Sequence, residues 1–205
     1  MASTLPSALP GVVLASRSPR RFALLTELLH RTNQTFVVDP PDIDETPLAA
    51  ETVDAYVQRL ALGKATVVAQ RYKKDVIVIG ADTTVDVDGK IFGQPADMVE
   101  AAAMLRQLSG RTHRVVTAIA LIRGDRQRHG FDAAEVTMKS LTDEHLAWYL
   151  STEESLGKAG AYAVQGHGAA LVEGVAGSLS TVVGLPIGLL RALGAELGAG
   201  WKIGL

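Results

Sequence analysis

The sequence contains no cysteine, which excludes disulfides, thiolate nucleophiles and cysteine-based metal sites. It has no excess of either charge: 20 Lys and Arg face 22 Asp and Glu, for a formal net charge of −2. No overall field draws in nucleic acid or an anionic membrane, so any anion site must be local. The five histidines show no HExxH or similar ligand spacing, so none of them marks a metal centre. No GxGxxG or Walker A pattern sits at a strand-to-helix junction, and no Gly-x-Ser-x-Gly elbow occurs. A P-loop is thereby excluded, and the simplest nucleophile is a water molecule. A long apolar run is also missing. Residues 174–190 carry no charge, but Gly177, Ser178, Ser180, Thr181, Gly184, Pro186 and Gly188 interrupt them, which fits a strand, a glycine turn and a helix start better than a membrane span. Met1 to Pro10 lacks a basic n-region and holds two prolines; it reads as a disordered lead-in rather than a signal peptide.

What remains is ordinary globular material. With 205 residues, 47% of them hydrophobic and 20% charged, the chain is long enough for one domain, here expected over 11–205. Residues 11–15 read as a buried strand, 34–39 as a short strand, and 40–45 as an acidic loop held open by Pro40 and Pro41. A helix is expected over about 51–70, with Val53, Tyr56, Val57, Leu60, Val67 and Val68 on one stripe and Lys64 in line with them. A buried strand over 76–79 should end at Gly80-Ala81-Asp82. A hairpin follows through Asp88-Gly89, then a helix over 97–108. Strands over 114–123 and 129–139, a short helix capped by Thr142, and a closing helix over 186–197 complete the pattern. Glu144 stands too early for a capping box. Helices alternating with strands early and hairpins in the middle imply an α/β fold, a mixed twisted sheet flanked by helices with room for a central cleft.

Ser16-Arg17-Ser18-Pro19-Arg20-Arg21 is the most informative segment. Ser18 is placed as an N-cap and Pro19 at the first helical position, yet two arginines follow where the helix dipole favours Asp or Glu. An anion at that end, a phosphate above all, reconciles the three positive sources; the competing reading is a solvated face. Asp82, just past a buried strand, should lie at the sheet's carboxyl edge, where open α/β folds bind ligands. A carboxylate facing an anion needs a cation between them, and a divalent metal held by Asp82 and Glu45 would supply it. Turn capping by Asp82 and simple solvation of Glu45 are the alternatives.

Five ordered segments, Ser16 to Arg21, Gly80 to Thr83, Ser109 to His113, Lys158 to Tyr162 and Val183 to Pro186, resemble the Maf family of nucleoside triphosphate pyrophosphatases. The resemblance implies a fold similar to that of inosine triphosphate pyrophosphatases and hydrolysis of a nucleoside triphosphate to monophosphate and pyrophosphate with Mg2+ or Mn2+. It makes Asp82, Lys64 and Glu45 catalytic, with Glu45 and Asp82 as metal ligands. Ser16, Ser18, Arg20, Arg21, Thr83, Gln94, Lys158 and Gln165 become substrate contacts. Arg20, Thr83 and Gln165 match the branch acting on dTTP and UTP rather than the 7-methyl-GTP branch, which carries a bulky aromatic, Gln and Lys there. The amide of Gln165 offers a donor and an acceptor to the imide edge of uracil or thymine. Gln94 departs from the family's usual lysine, Gly63 from a glutamate and Ser180 from an asparagine. The implied enzyme is a cytoplasmic homodimer acting on free nucleotides, not on nucleic acid or membrane. A nucleotide-binding cell-division regulator with little turnover is the rival class.

Overall fold

The computed structural model describes residues 11–30 and 34–201, so the expected lead-in, Met1 to Pro10, lies outside the described residues. Strand β1 (Val12–Ala15) is wholly buried and turns directly into α1 (Pro19–Leu29). Ser18 adopts extended φ/ψ and its hydroxyl accepts from the Arg21 N–H, and Pro19 opens the helix, so local chemistry alone sets this junction. No acidic residue lies in the first turn of α1. Next come β2 (Phe36–Val38), α2 (Val53–Ala69), β3 (Ile77–Val87), β4 (Lys90–Phe92), α3 (Met98–Leu108), β5 (Thr112–Arg123) and β6 (Arg126–Met138). The chain finishes with α4 (Asp143–Ser151), β7 (Val172–Ala176), α5 (Leu179–Val183) and α6 (Ile187–Glu196). These strands form one mixed sheet in the order β2-β1-β3-β5-β6-β7, with β4 paired to β3. Pairing is parallel from β2 through β1 to β3 and antiparallel beyond. The α/β architecture with a mixed sheet is as the pattern implied. Among the described residues, no helix is long and apolar enough to cross a membrane.

Three apolar clusters fill the two faces. Leu25 and Leu29 of α1 and Leu190 and Leu193 of α6 pack on Leu14, Ile79 and Leu121 on one side. Val57, Leu60 and Val68 of α2 pack on Val13, Val78 and Val116 on the other. The third cluster lies at the far end, where α3 and α4 cover Val85, Val115 and Val136. Strands β3, β5 and β6 run from the first two clusters into the third, and a cleft opens where β1 stops short of them.

Three expectations need correction. The strand expected to stop at 79 continues through Asp82 to Val87, because every residue from Ile77 to Asp86 pairs with β5. Asp82 thus sits inside a strand, opposite Ala118, two residues beyond the Ala15–Gly80 pair at which β1 ends. Thr142 does form a capping box, with His145 rather than an acidic residue: the Thr142 hydroxyl accepts from the His145 N–H and His145 Nδ1 accepts from the Thr142 N–H. Between β7 and the last helix lies a further short helix, α5, closed by Gly184 at φ 113°.

Candidate active site

Gly80 decides how close α2 comes to the sheet. A Cβ at this position would lie 2.2 Å from the Ala61 carbonyl oxygen and 2.7 Å from the Ala65 nitrogen, so helix and strand touch backbone to backbone. That approach brings Lys64, on the buried stripe of α2, against Asp82 two residues along β3. The Lys64 ammonium lies 2.7 Å from Asp82 Oδ1 and 2.7 Å from Glu45 Oε1. Its side chain is 11% exposed and that of Asp82 9%, whereas Glu45 is 49% exposed at the cleft side. Glu45 is placed by α2 as well: the Tyr56 hydroxyl donates to the Glu45 carbonyl, and Arg59 donates to the Thr46 carbonyl while gripping Glu51 with two N–H groups. Burial pushes the Asp82 carboxyl above the ordinary carboxylate range, against the pull of Lys64 and Arg21. In the structure Lys64 is the cation that joins the two carboxylates.

Ser16, Arg20, Arg21 and Lys158 line the same cleft as Lys64 and Glu45. Ser16 is buried at the end of β1, and its Oγ accepts from the Ser18 N–H and from Arg21 Nη1, leaving its own O–H to donate. Arg21 donates four hydrogen bonds, to Gly184 O, Ser16 Oγ, Ala81 O and Thr83 Oγ1, at 2.8–3.2 Å. Of its five N–H groups one remains, so Arg21 chiefly ties α1, β3 and the end of α5 together. Burial lowers the pKa of Arg20, of Arg21 and of Lys158, and the charge of Arg20 depresses that of Arg21 and of Lys158 further. Cations held this way gain from a multiply charged anion.

A cleft of about 410 Å3 joins the parts. Ten of the eleven expected site residues line it, and the eleventh, Asp82, stands behind Lys64. Gln94 lies on its rim. Gln165, exposed and lining the cleft, precedes the 3-10 helix Gly166–Leu171 but makes no capping bond, so its amide is not committed to the loop. Glu154 fixes that loop instead, accepting from the His167 and Gly168 N–H groups at 3.2 and 2.9 Å. Sequence reading missed Glu154, which belongs to no motif. Tyr162, within a quoted motif but given no role there, also lines the cleft and pairs with buried His113 at 2.7 Å.

A family model described as Maf-like protein matches residues 11–197. The chain belongs to the Maf family. This Maf protein is 50% identical over 182 residues to a dTTP/UTP pyrophosphatase of Myxococcus xanthus, covering 89% of this chain and 90% of that one. Over 176 residues it is 46% identical to a dTTP/UTP pyrophosphatase of Symbiobacterium thermophilum, covering 86% and 88%. Among solved structures, a HAM1 protein from Coxiella burnetii is more distant: 21% identity, 62% of this chain, 72% of that one, TM-score 0.47.

The two carboxylates that converge on Lys64 are hard oxygen donors of the kind that hold Mg2+ or Mn2+. Among the described residues no group of three or more His, Cys, Asp or Glu could hold a metal ion. A pair suffices where substrate phosphate oxygens and water complete the shell, as is usual for Mg2+, so the second carboxylate oxygens of Glu45 and Asp82, which Lys64 does not hold, fit such an ion.

Proposed function

We propose that this protein hydrolyses dTTP, UTP and modified pyrimidine analogues to the nucleoside monophosphate and pyrophosphate, clearing them from the nucleotide pool. The observation that carries the reading is a single cleft lined by Lys64 and Glu45, with the buried Asp82 carboxylate bonded to Lys64 behind them, and by the desolvated cations Arg20 and Arg21 at a helix N-terminus. Water attacks the α-phosphorus, Asp82 takes its proton, and the bond to the bridging oxygen breaks as pyrophosphate leaves. A carboxyl pushed upward by burial is a better base at neutral pH than a solvated one. Lys64 holds Asp82 and Glu45 in a fixed relation. Arg20, Lys158, the last Arg21 N–H and the Ser16 hydroxyl take up the charge on the departing pyrophosphate. Gln94, at the rim, donates a neutral hydrogen bond where lysine would add charge, and the Ser18 hydroxyl closes the phosphate end. Glu45 and Asp82 would hold a divalent cation, which when bound neutralises phosphate charge and polarises the phosphoryl oxygens. Gln165 reads the imide edge of the base. The same reading makes the enzyme a cytoplasmic homodimer over a single domain.

Hydrolysis of dTTP in 18O-labelled water tests the bond broken. The label must appear in the monophosphate. Label found only in pyrophosphate means attack at the β-phosphorus and overturns the roles given to Asp82 and the cations.

A further inference from the structure

The bonds beyond Arg21 run in one direction. Thr117, on β5 and fully buried, approaches Thr83 Oγ1 at 2.9 Å and the Thr181 carbonyl at 2.7 Å. A carbonyl oxygen carries no hydrogen, so the single O–H of Thr117 is committed to Thr181. Thr83 must therefore donate to Thr117, and only a lone pair of Thr83 is left to receive Arg21 Nη2 at 2.9 Å. The chain reads Arg21 to Thr83 to Thr117 to the Thr181 carbonyl, from the cleft through β3 and β5 into α5. The Thr181 hydroxyl in turn donates to Asp132 of β6, which secures α5 against the sheet.

We propose that Thr117 is a positioning residue of the triphosphate site. By accepting the Thr83 hydrogen it fixes the Thr83 hydroxyl as an acceptor toward Arg21; through Arg21 it holds Ser16 and the Ala81 carbonyl beside Asp82. This rests on the cleft being a triphosphate site. One consequence concerns Thr83 itself: its hydrogen is engaged in the sheet, so it orients the guanidinium instead of donating to substrate.

The test is Thr117→Val, which keeps shape and removes the hydroxyl, beside Thr117→Ser, which keeps it. Thr112→Val is the control, since Thr112 lies on the same strand and pairs with Thr137 at 2.9 Å, outside this chain of bonds. Calorimetric binding of inorganic tripolyphosphate, which needs no turnover, should weaken about tenfold in Thr117→Val. It should return to within about twofold in Thr117→Ser and stay unchanged in Thr112→Val, with KM for dTTP moving in parallel and kcat moving less. Wild-type binding by Thr117→Val, equal weakening by Thr112→Val, or no binding by the wild type overturns the proposal. Should Thr117→Val not fold, Thr83→Val breaks the chain one link earlier, and unchanged binding there is equally fatal. Turnover is scored apart from this: a wild type that binds tripolyphosphate but hydrolyses no nucleotide refutes the enzymatic reading and leaves the positioning role standing.

Discussion

His113 gives the protein an acid-sensitive joint next to the cleft. The ring lies on β5, 4% exposed, with Nε2 bonded to the Tyr162 hydroxyl at 2.7 Å and Nδ1 without a hydrogen-bond partner. Burial, helped by the Arg111 cation, lowers its pKa from 6.5 to about 4. In the unfolded chain the ring takes a proton below about pH 6.5; in the folded protein it does so only near pH 4. Because the folded pKa is the lower one, the stabilisation is complete above about pH 6.5 and is lost as pH falls through the window to about 4. Roughly 1.4 kcal/mol per pH unit puts the loss at about 3 kcal/mol, a large share of a typical folding free energy. Urea unfolding at pH 4 to 8 measures it, with His113→Gln as the reference that cannot titrate and in which all other groups cancel. The wild type should lose about 3 kcal/mol more than the variant between pH 7 and pH 4, and the His113 ring should stay neutral in NMR titration down to about pH 5. Titration near 6.5 in the native protein, or equal acid limbs for the two proteins, refutes the reasoning.

Asp82→Asn should lower kcat about 10²–10⁴-fold, the usual range for a lost general base, while tripolyphosphate binding persists; a near-normal rate removes Asp82 from the mechanism. Gly80→Ala pushes α2 away from β3 and should cost about 2–3 kcal/mol, seen as a Tm lower by about 5–10 °C, with activity lost as Lys64 leaves Asp82. An unchanged Tm means that the helix yields freely there. Gln94→Lys adds a cation to the cleft rim and should tighten triphosphate binding about three- to tenfold at low salt, the gain shrinking at high salt; a gain independent of salt contradicts a charge effect.

Local chemistry made half of this site legible. Ser18, Pro19 and the arginines after them specify a strand-to-helix turn and a cation-rich helix start within six residues, and Asp88-Gly89 specifies its hairpin in the same way. Lys64 stood out because a charge on an apolar stripe has to find a partner. The partner's identity lay beyond local reach, since it depends on α2 resting on Gly80. The length of β3 was hidden for a related reason: an acidic residue followed by two threonines reads as a turn until β5 pairs with it. Arg21 read as a phosphate ligand because sequence shows its charge and not its four acceptors, which come from β1, β3 and the end of α5. Glu154 gave no signal, as its partners are the backbone N–H groups of residues thirteen and fourteen positions later.

The most direct measurement is pyrophosphate release by the purified protein across canonical and modified nucleoside triphosphates, with Mg2+, Mn2+ or neither. The account predicts release of pyrophosphate from dTTP and UTP well above release from purine triphosphates, and only with a divalent cation. Tight binding without turnover of any nucleotide, or preference for a purine such as 7-methyl-GTP, would contradict it.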